Sequence, residues 1–182
     1  MTGGPGRTDG RGAASSARGR TSRASFFSRG SLAALAVVLL VGAGLRAAYL
    51  SEIARSPEFT HPAVDAHFSD YWARALVSGD WSSPAVAEAY GGLPGIQERP
   101  YFRPPGYPHF LAVVYRAAGP GYMAPRLAQM LLGLASALLA FALARLMLGR
   151  AAGVVAAAFM ATYWGFIYFE GELEEPSLLI FL

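Results

Sequence analysis

The sequence predicts an all-α, polytopic transmembrane protein whose extracytoplasmic loop carries interfacial helices. Three observations point there. The chain is 54% hydrophobic and 15% charged over 182 residues, whereas soluble domains carry about 25% charged residues. Its apolar residues are gathered into long runs instead of recurring with the period of a soluble core. All fifteen basic residues are Arg, and the positive excess sits in the first 29 residues, where six Arg face one acid.

Residues 1–30 are mainly Gly, Ser, Arg, Thr and Ala. Such a segment buries too little apolar surface to offset the entropy of ordering it, so a disordered tail is expected. It sets Arg7, Arg11, Arg18, Arg20, Arg23 and Arg29 against the single acid Asp9. Beside a span, that imbalance places the tail in the cytoplasm. The run Ser31 to Leu50 follows. Twenty helical residues cover about 30 Å, the hydrocarbon thickness, and Arg46 near the outer end can snorkel. A cleaved signal peptide is the rival reading; the length of the run and the spans that follow weigh against it.

Residues 51–103 form a polar, aromatic-rich outer loop. Within it Val64, Phe68, Tyr71, Trp72 and Ala75 recur at helical spacing, so 64–77 reads as an amphipathic helix at the membrane surface, ended by Gly79-Asp80. Phe102-Arg103-Pro104-Pro105-Gly106-Tyr107-Pro108 opens the apolar segment 109–118, with prolines where a helix tolerates them. That segment is too short to span and contains Arg116, so it reads as interfacial or re-entrant. Gly119-Pro120-Gly121 closes it. A second span runs from Arg126 to Leu148, with Arg145 and Arg150 at a cytoplasmic end. Ala151 to Phe169 is the third, and the carboxylates of Glu170, Glu172, Glu174 and Glu175 should lie beyond it, outside the hydrocarbon. Pro176 opens a fourth. If 109–118 does not cross, the outer loop (51–125) and the acidic loop (170–175) share one side of the membrane.

The absence of Cys removes disulfides, thiolate metal sites and a Cys nucleophile. No basic patch is interleaved with aromatics, so no nucleic-acid partner is expected. No Gly-rich phosphate loop, nucleophile elbow or dinucleotide fingerprint is present, which gives a soluble-nucleotide donor no support. The residues able to carry chemistry are few. Asp65 stands in the first turn of the interfacial helix, where the helix dipole favours a carboxylate and a fixed, partly desolvated acid could serve as general base; a plain N-terminal cap is the competing role. Glu172 to Glu175 sit at the mouth of a span, and Glu175, just before Pro176, is the one placed to face inward. Arg74, Arg99 and Arg103 can grip a phosphate with paired N–H groups, or simply contact anionic membrane lipids. His61, His67 and His109 lack the spacing of a helical metal site.

In chain order the motifs are V-D-A-x-x-x-D-Y-W-A-x-x-L-x-x-G-D, then R-P-P-G-Y-P, R-L-x-Q-x-L-L-G, L-G-R-A-A-G and Y-F-E-G-E-L-E-E-P. This ordered set, over roughly residues 31–182, resembles the N-terminal third of GT-C superfamily glycosyltransferases, the protein-mannosyltransferase and aminoarabinose-transferase-like group (glycosyltransferase family 39 and its relatives). The resemblance implies a GT-C-like transmembrane domain over 31–182. It implies sugar transfer from a polyprenyl-phosphate donor to a hydroxyl of a lipid, glycan or protein acceptor on the extracytoplasmic face. It matches a catalytic Asp to Asp65, and a second acid to Glu175 with Glu172 beside it. Relatives often carry Asp-Glu where this chain has Asp65-Ala66. Where some carry a metal-associated acid after Tyr-Phe, it has Arg103, with Glu98 a displaced substitute, so a divalent cation stays open. Arg99 or Arg103 would steady the departing phosphate. Family members enclose their substrates with many more spans, so this stretch is expected to be inactive by itself. The rival classes are a non-catalytic membrane anchor or assembly subunit, which has no reason to bring Asp65 and Glu175 together, and a transporter fragment.

Overall fold

The computed structural model describes residues 1–3, 29–62, 64–81 and 104–182. The basic tail (4–28) and the stretch with Glu98, Arg99 and Arg103 (82–103) lie outside the described residues. The described chain is helical: α1 (Arg29–Ile53), a short 3₁₀ turn (Pro57–Phe59), α2 (Val64–Ser78), α3 (Gly106–Ala118), α4 (Met123–Leu148), α5 (Arg150–Thr162), α6 (Trp164–Gly171) and α7 (Pro176–Phe181). Helices α1 and α4 are long and apolar enough to cross a membrane, and the bent pair α5–α6 makes a third span if it is counted as one. Two or three such helices are the pattern of a multi-pass membrane protein.

Three apolar clusters fix how these helices run. Leu35, Phe141 and Ala157 join α1, α4 and α5 at one end of the bundle. Tyr49, Met130 and Ile167 join α1, α4 and α6 at the other. Reading along the chain, α1 ascends from Leu35 to Tyr49, α4 descends from Met130 to Phe141, and α5–α6 ascends from Ala157 to Ile167. The turn between α4 and α5 is a single residue, Gly149, whose φ of 97° is a left-handed conformation that glycine adopts without strain. The third cluster is a separate layer. Ala66, Ala73, Tyr107, Leu111, Ala112, Tyr115 and Leu173 pack α2 against α3, and the Arg116 guanidinium donates to Leu76 O at 2.9 Å. This layer sits at the end of the bundle where α1 finishes and α4 begins.

Residues 64–78 and the short segment after them therefore form helices where the sequence suggests. Gly79, at φ 74°, stops α2, and α3 at thirteen residues is about 20 Å long, short of a crossing. Three expectations need correction. The third span is not one straight helix: it breaks at Tyr163, and its halves meet at 45°. Glu170 does not stand beyond the span with Glu172, Glu174 and Glu175, being 2% exposed inside the bundle. Arg46 does not snorkel; it too is 2% exposed and pairs with Glu170. A long side chain reaches for water only when no closer acceptor exists, and here a carboxylate lies on the facing helix.

Candidate functional site

The acidic loop is held against the α2–α3 layer by contacts from α4. Arg126 Nε donates to Gly171 O at 2.6 Å, while its Nη1 donates to Phe59 O at 3.0 Å and its plane covers the Phe59 ring. Gln129, fully buried, donates to Glu172 O at 2.6 Å and more weakly to Ser177 Oγ at 3.3 Å. Its own Oε1 accepts from Tyr107 Oη at 2.7 Å. Between these anchors Leu173 enters the α2–α3 core beside Ala66. A loop is costly to bury because its carbonyls need donors; Arg126 and Gln129 supply them and anchor it in this conformation.

That conformation brings acids from two distant stretches together. Asp65, Ser69, Glu174, Glu175 and Pro176 line one cleft of about 60 Å³. Asp65 and Ser69 lie one helical turn apart on α2, on the same face, and Glu174 and Glu175 meet them from the end of the loop. A space of that size holds more than one water-sized group, so the hydroxyl end of an acceptor can enter it.

The other sequence-derived candidates are placed elsewhere. Arg74 pairs with Asp70 through one shared donor, its Nε lying 3.0 and 2.9 Å from the two carboxylate oxygens, and its Nη2 donates to Pro120 O at 3.0 Å. Burial lowers the Arg74 pKa, but the hydrogen bond and charge of Asp70 outweigh this and leave it raised. Tyr115 and Tyr122 donate to the same carboxylate at 2.6 and 3.1 Å. Burial, and then the charge of Asp70, push both phenols up. Asp70 thus ties α2 to α3 and to the start of α4, and Arg74 belongs to that knot, not to the cleft. Glu172 faces away from the cleft toward Arg126 and Glu58; burial raises its pKa, Arg126 opposes this and Glu58 adds to it. His61 and His109 bond to local backbone carbonyls. Among the described residues no group of three or more His, Asp or Glu side chains could hold a metal ion.

Three structural residues were not singled out as candidates in the sequence, Asp70, Arg126 and Gln129, whereas Glu174 fell within the Glu172 to Glu175 cluster. A signal existed for some. Arg126 and Gln129 are polar residues in an apolar run, which asks for a buried partner, and Asp70–Arg74 has the i,i+4 spacing of a helical ion pair. No family model, curated protein or solved structure matches the chain.

Proposed function

We propose that this chain carries the acidic reaction site of a GT-C-like membrane glycosyltransferase, which moves a sugar from a polyprenyl-phosphate donor to an acceptor hydroxyl at the extracytoplasmic membrane surface. The observation that supports it is the shared cleft: Asp65 and Glu175, more than a hundred residues apart in sequence, line one small opening at the end of the bundle. An anchor would have no use for bringing acids from two such distant stretches to one opening.

In the reaction an acceptor hydroxyl enters the cleft and Asp65 takes its proton as the oxygen attacks the anomeric carbon. The bond from that carbon to the phosphate oxygen breaks, the lipid phosphate leaves with the electron pair, and the anomeric configuration inverts. Glu175 hydrogen-bonds the acceptor, and Arg99 or Arg103 meets the phosphate. A divalent cation stays open as a further partner of the acids or the phosphate. Asp70 and Arg74 act at one remove by fixing α2.

The test is transfer from a labelled polyprenyl-phosphate sugar in membranes carrying the protein. Asp65→Asn keeps the shape and removes the base, so kcat should fall at least about 100-fold. Glu175→Gln should weaken acceptor binding more than turnover. Wild-type transfer by Asp65→Asn would sink the mechanism and favour a non-catalytic assembly subunit.

A further inference from the structure

We infer that the buried Arg46–Glu170 pair is a positioning clamp, which sets the bend of the third span and so aims the acidic loop at Asp65. This rests on the cleft being the reaction site. One guanidinium joins three helices. From α1, Arg46 Nε and Nη2 each donate to a different oxygen of Glu170 on α6, both at 2.6 Å. Its Nη1 donates to Ala161 O on α5 at 2.7 Å and to Gly42 O on its own helix at 3.1 Å.

The Ala161 contact explains the bend. In an unbroken helix Ala161 O would accept from the amide of residue 165. Tyr163 is extended, with ψ 117°, and the carbonyl accepts from Arg46 instead. A side chain entering the helical ladder is one of the few causes of a sharp kink, and no proline lies near this one. Small residues make the room. A Cβ on Gly42 would come within 2.9 Å of the Ala161 Cβ, and one on Gly133 would overlap the Glu170 carboxylate.

The clamp reaches the cleft through a short stretch of chain. Glu170 immediately precedes Gly171, whose carbonyl Arg126 holds, and Glu172, whose carbonyl Gln129 holds. Leu173 and the two cleft glutamates follow. Rotation of the last turn of α6 would carry all of them. A buried ion pair adds little net stability over an apolar pair, because both ions lose their hydration; what it secures is one geometry. Lysine cannot reproduce that geometry, having one nitrogen where Arg46 uses three.

The experiment uses the natural absence of Cys. Ser69→Cys with Glu174→Cys reports the cleft through a short bifunctional cross-linker in membranes, and Leu76→Cys with Arg116→Cys reports the α2–α3 layer. Arg46→Lys and Glu170→Gln should each lower the first cross-link several-fold and leave the second unchanged. In the Cys-free protein, Arg46→Lys should lower kcat about 100-fold with the donor KM near wild type. An undiminished cleft cross-link in both variants overturns the clamp. Should Arg46→Lys lose both cross-links through misfolding, the milder Glu170→Gln decides by the same criterion. If the parent protein transfers no sugar but its cleft cross-link still depends on Arg46 and Glu170, the clamp stands and the glycosyltransferase reading falls.

Discussion

Asp70 collects bonds from three side chains. Arg74, Tyr115 and Tyr122 all converge on it, and it is 6% exposed. The shortest of these contacts belongs to Tyr115, whose Oη donates at 2.6 Å. Removing one donor from a charged acceptor costs about 1–3 kcal/mol. Tyr115→Phe should therefore lower the unfolding temperature of the detergent-solubilised protein, and its effect should not add to that of Asp70→Asn, since both break the same knot. An unchanged melting temperature would mean that the three donors are redundant. Glu172 predicts a pH effect of definite sign. Its folded pKa is raised above the ordinary 4.5, chiefly by burial. Over the interval between the two values the folded state holds a proton that the unfolded state has lost, so stability falls as pH rises through it. The contribution is most favourable below the unfolded value and is gone above the folded one. Glu172→Gln should flatten that slope and be the more stable protein at neutral pH; a variant equally sensitive over the same interval would shift the cause to another group.

Helix α4 is the element that organises the rest. It meets α1, α3, α5, α6 and α7, and the order of its inward residues explains how. Arg126 and Gln129 hold the acidic loop, Met130 packs on Tyr49 and Ile167, Gly133 leaves space for Glu170, and Phe141 packs on Leu35 and Ala157. Gly133→Ala isolates one of these roles. Alanine favours a helix by about 1 kcal/mol over glycine, so in an open position the change would stabilise. Here the new methyl displaces a carboxylate that Arg46 grips with two bonds, and breaking a buried pair costs about 3–5 kcal/mol. The net effect should be destabilising, measured as loss of folded protein in detergent, and smaller when Glu170→Ala removes the clash. Stabilisation by Gly133→Ala alone would show that the carboxylate moves freely. This helix also marks the limits of the sequence reading. Its apolar run announced a span, and Gly79, Gly119 and Pro176 announced the ends and starts of elements, because those signals are local. The kink at Tyr163 carries no local signal, since its cause, Arg46, lies more than a hundred residues away. Asp65 and Glu175 could be named as acids at element boundaries, but their meeting depends on Leu173 entering a core made by α2 and α3. The assignment of Arg74 to phosphate missed Asp70 for the opposite reason: the partner was one turn away and less conspicuous than the charge itself.

At the scale of the whole molecule polarity runs from outside to inside. Leu40, Leu131, Leu139, Leu143, Val155 and Phe159 are exposed, while Arg46, Gln129, Ser136, Arg145 and Glu170 are buried. In water this arrangement would leave broad apolar faces uncovered; in a bilayer those faces are solvated by lipid, and Arg46 and Glu170 pair inside. The order of the helices then fixes relative sidedness. Residues 51–62, the α2–α3 layer and the acidic loop share the end where α1 finishes, and Arg150 lies at the opposite end with the start of α1. Because Arg excess favours the cytoplasm, the acid cleft is expected outside. Single cysteines test both statements in a protein with none of its own. Thr60→Cys and Glu174→Cys should react with an impermeant maleimide in intact cells, and Arg150→Cys only after permeabilisation. If Thr60→Cys and Glu174→Cys label from opposite sides, either α3 crosses or the bent pair α5–α6 turns back, and in both cases the two acids cannot share a cleft in the membrane. If the pair labels together but only after permeabilisation, the cleft survives and the donor must be presented from the cytoplasmic leaflet. That second outcome would redirect the search for the sugar carrier without disturbing the packing that brings Asp65 to Glu175.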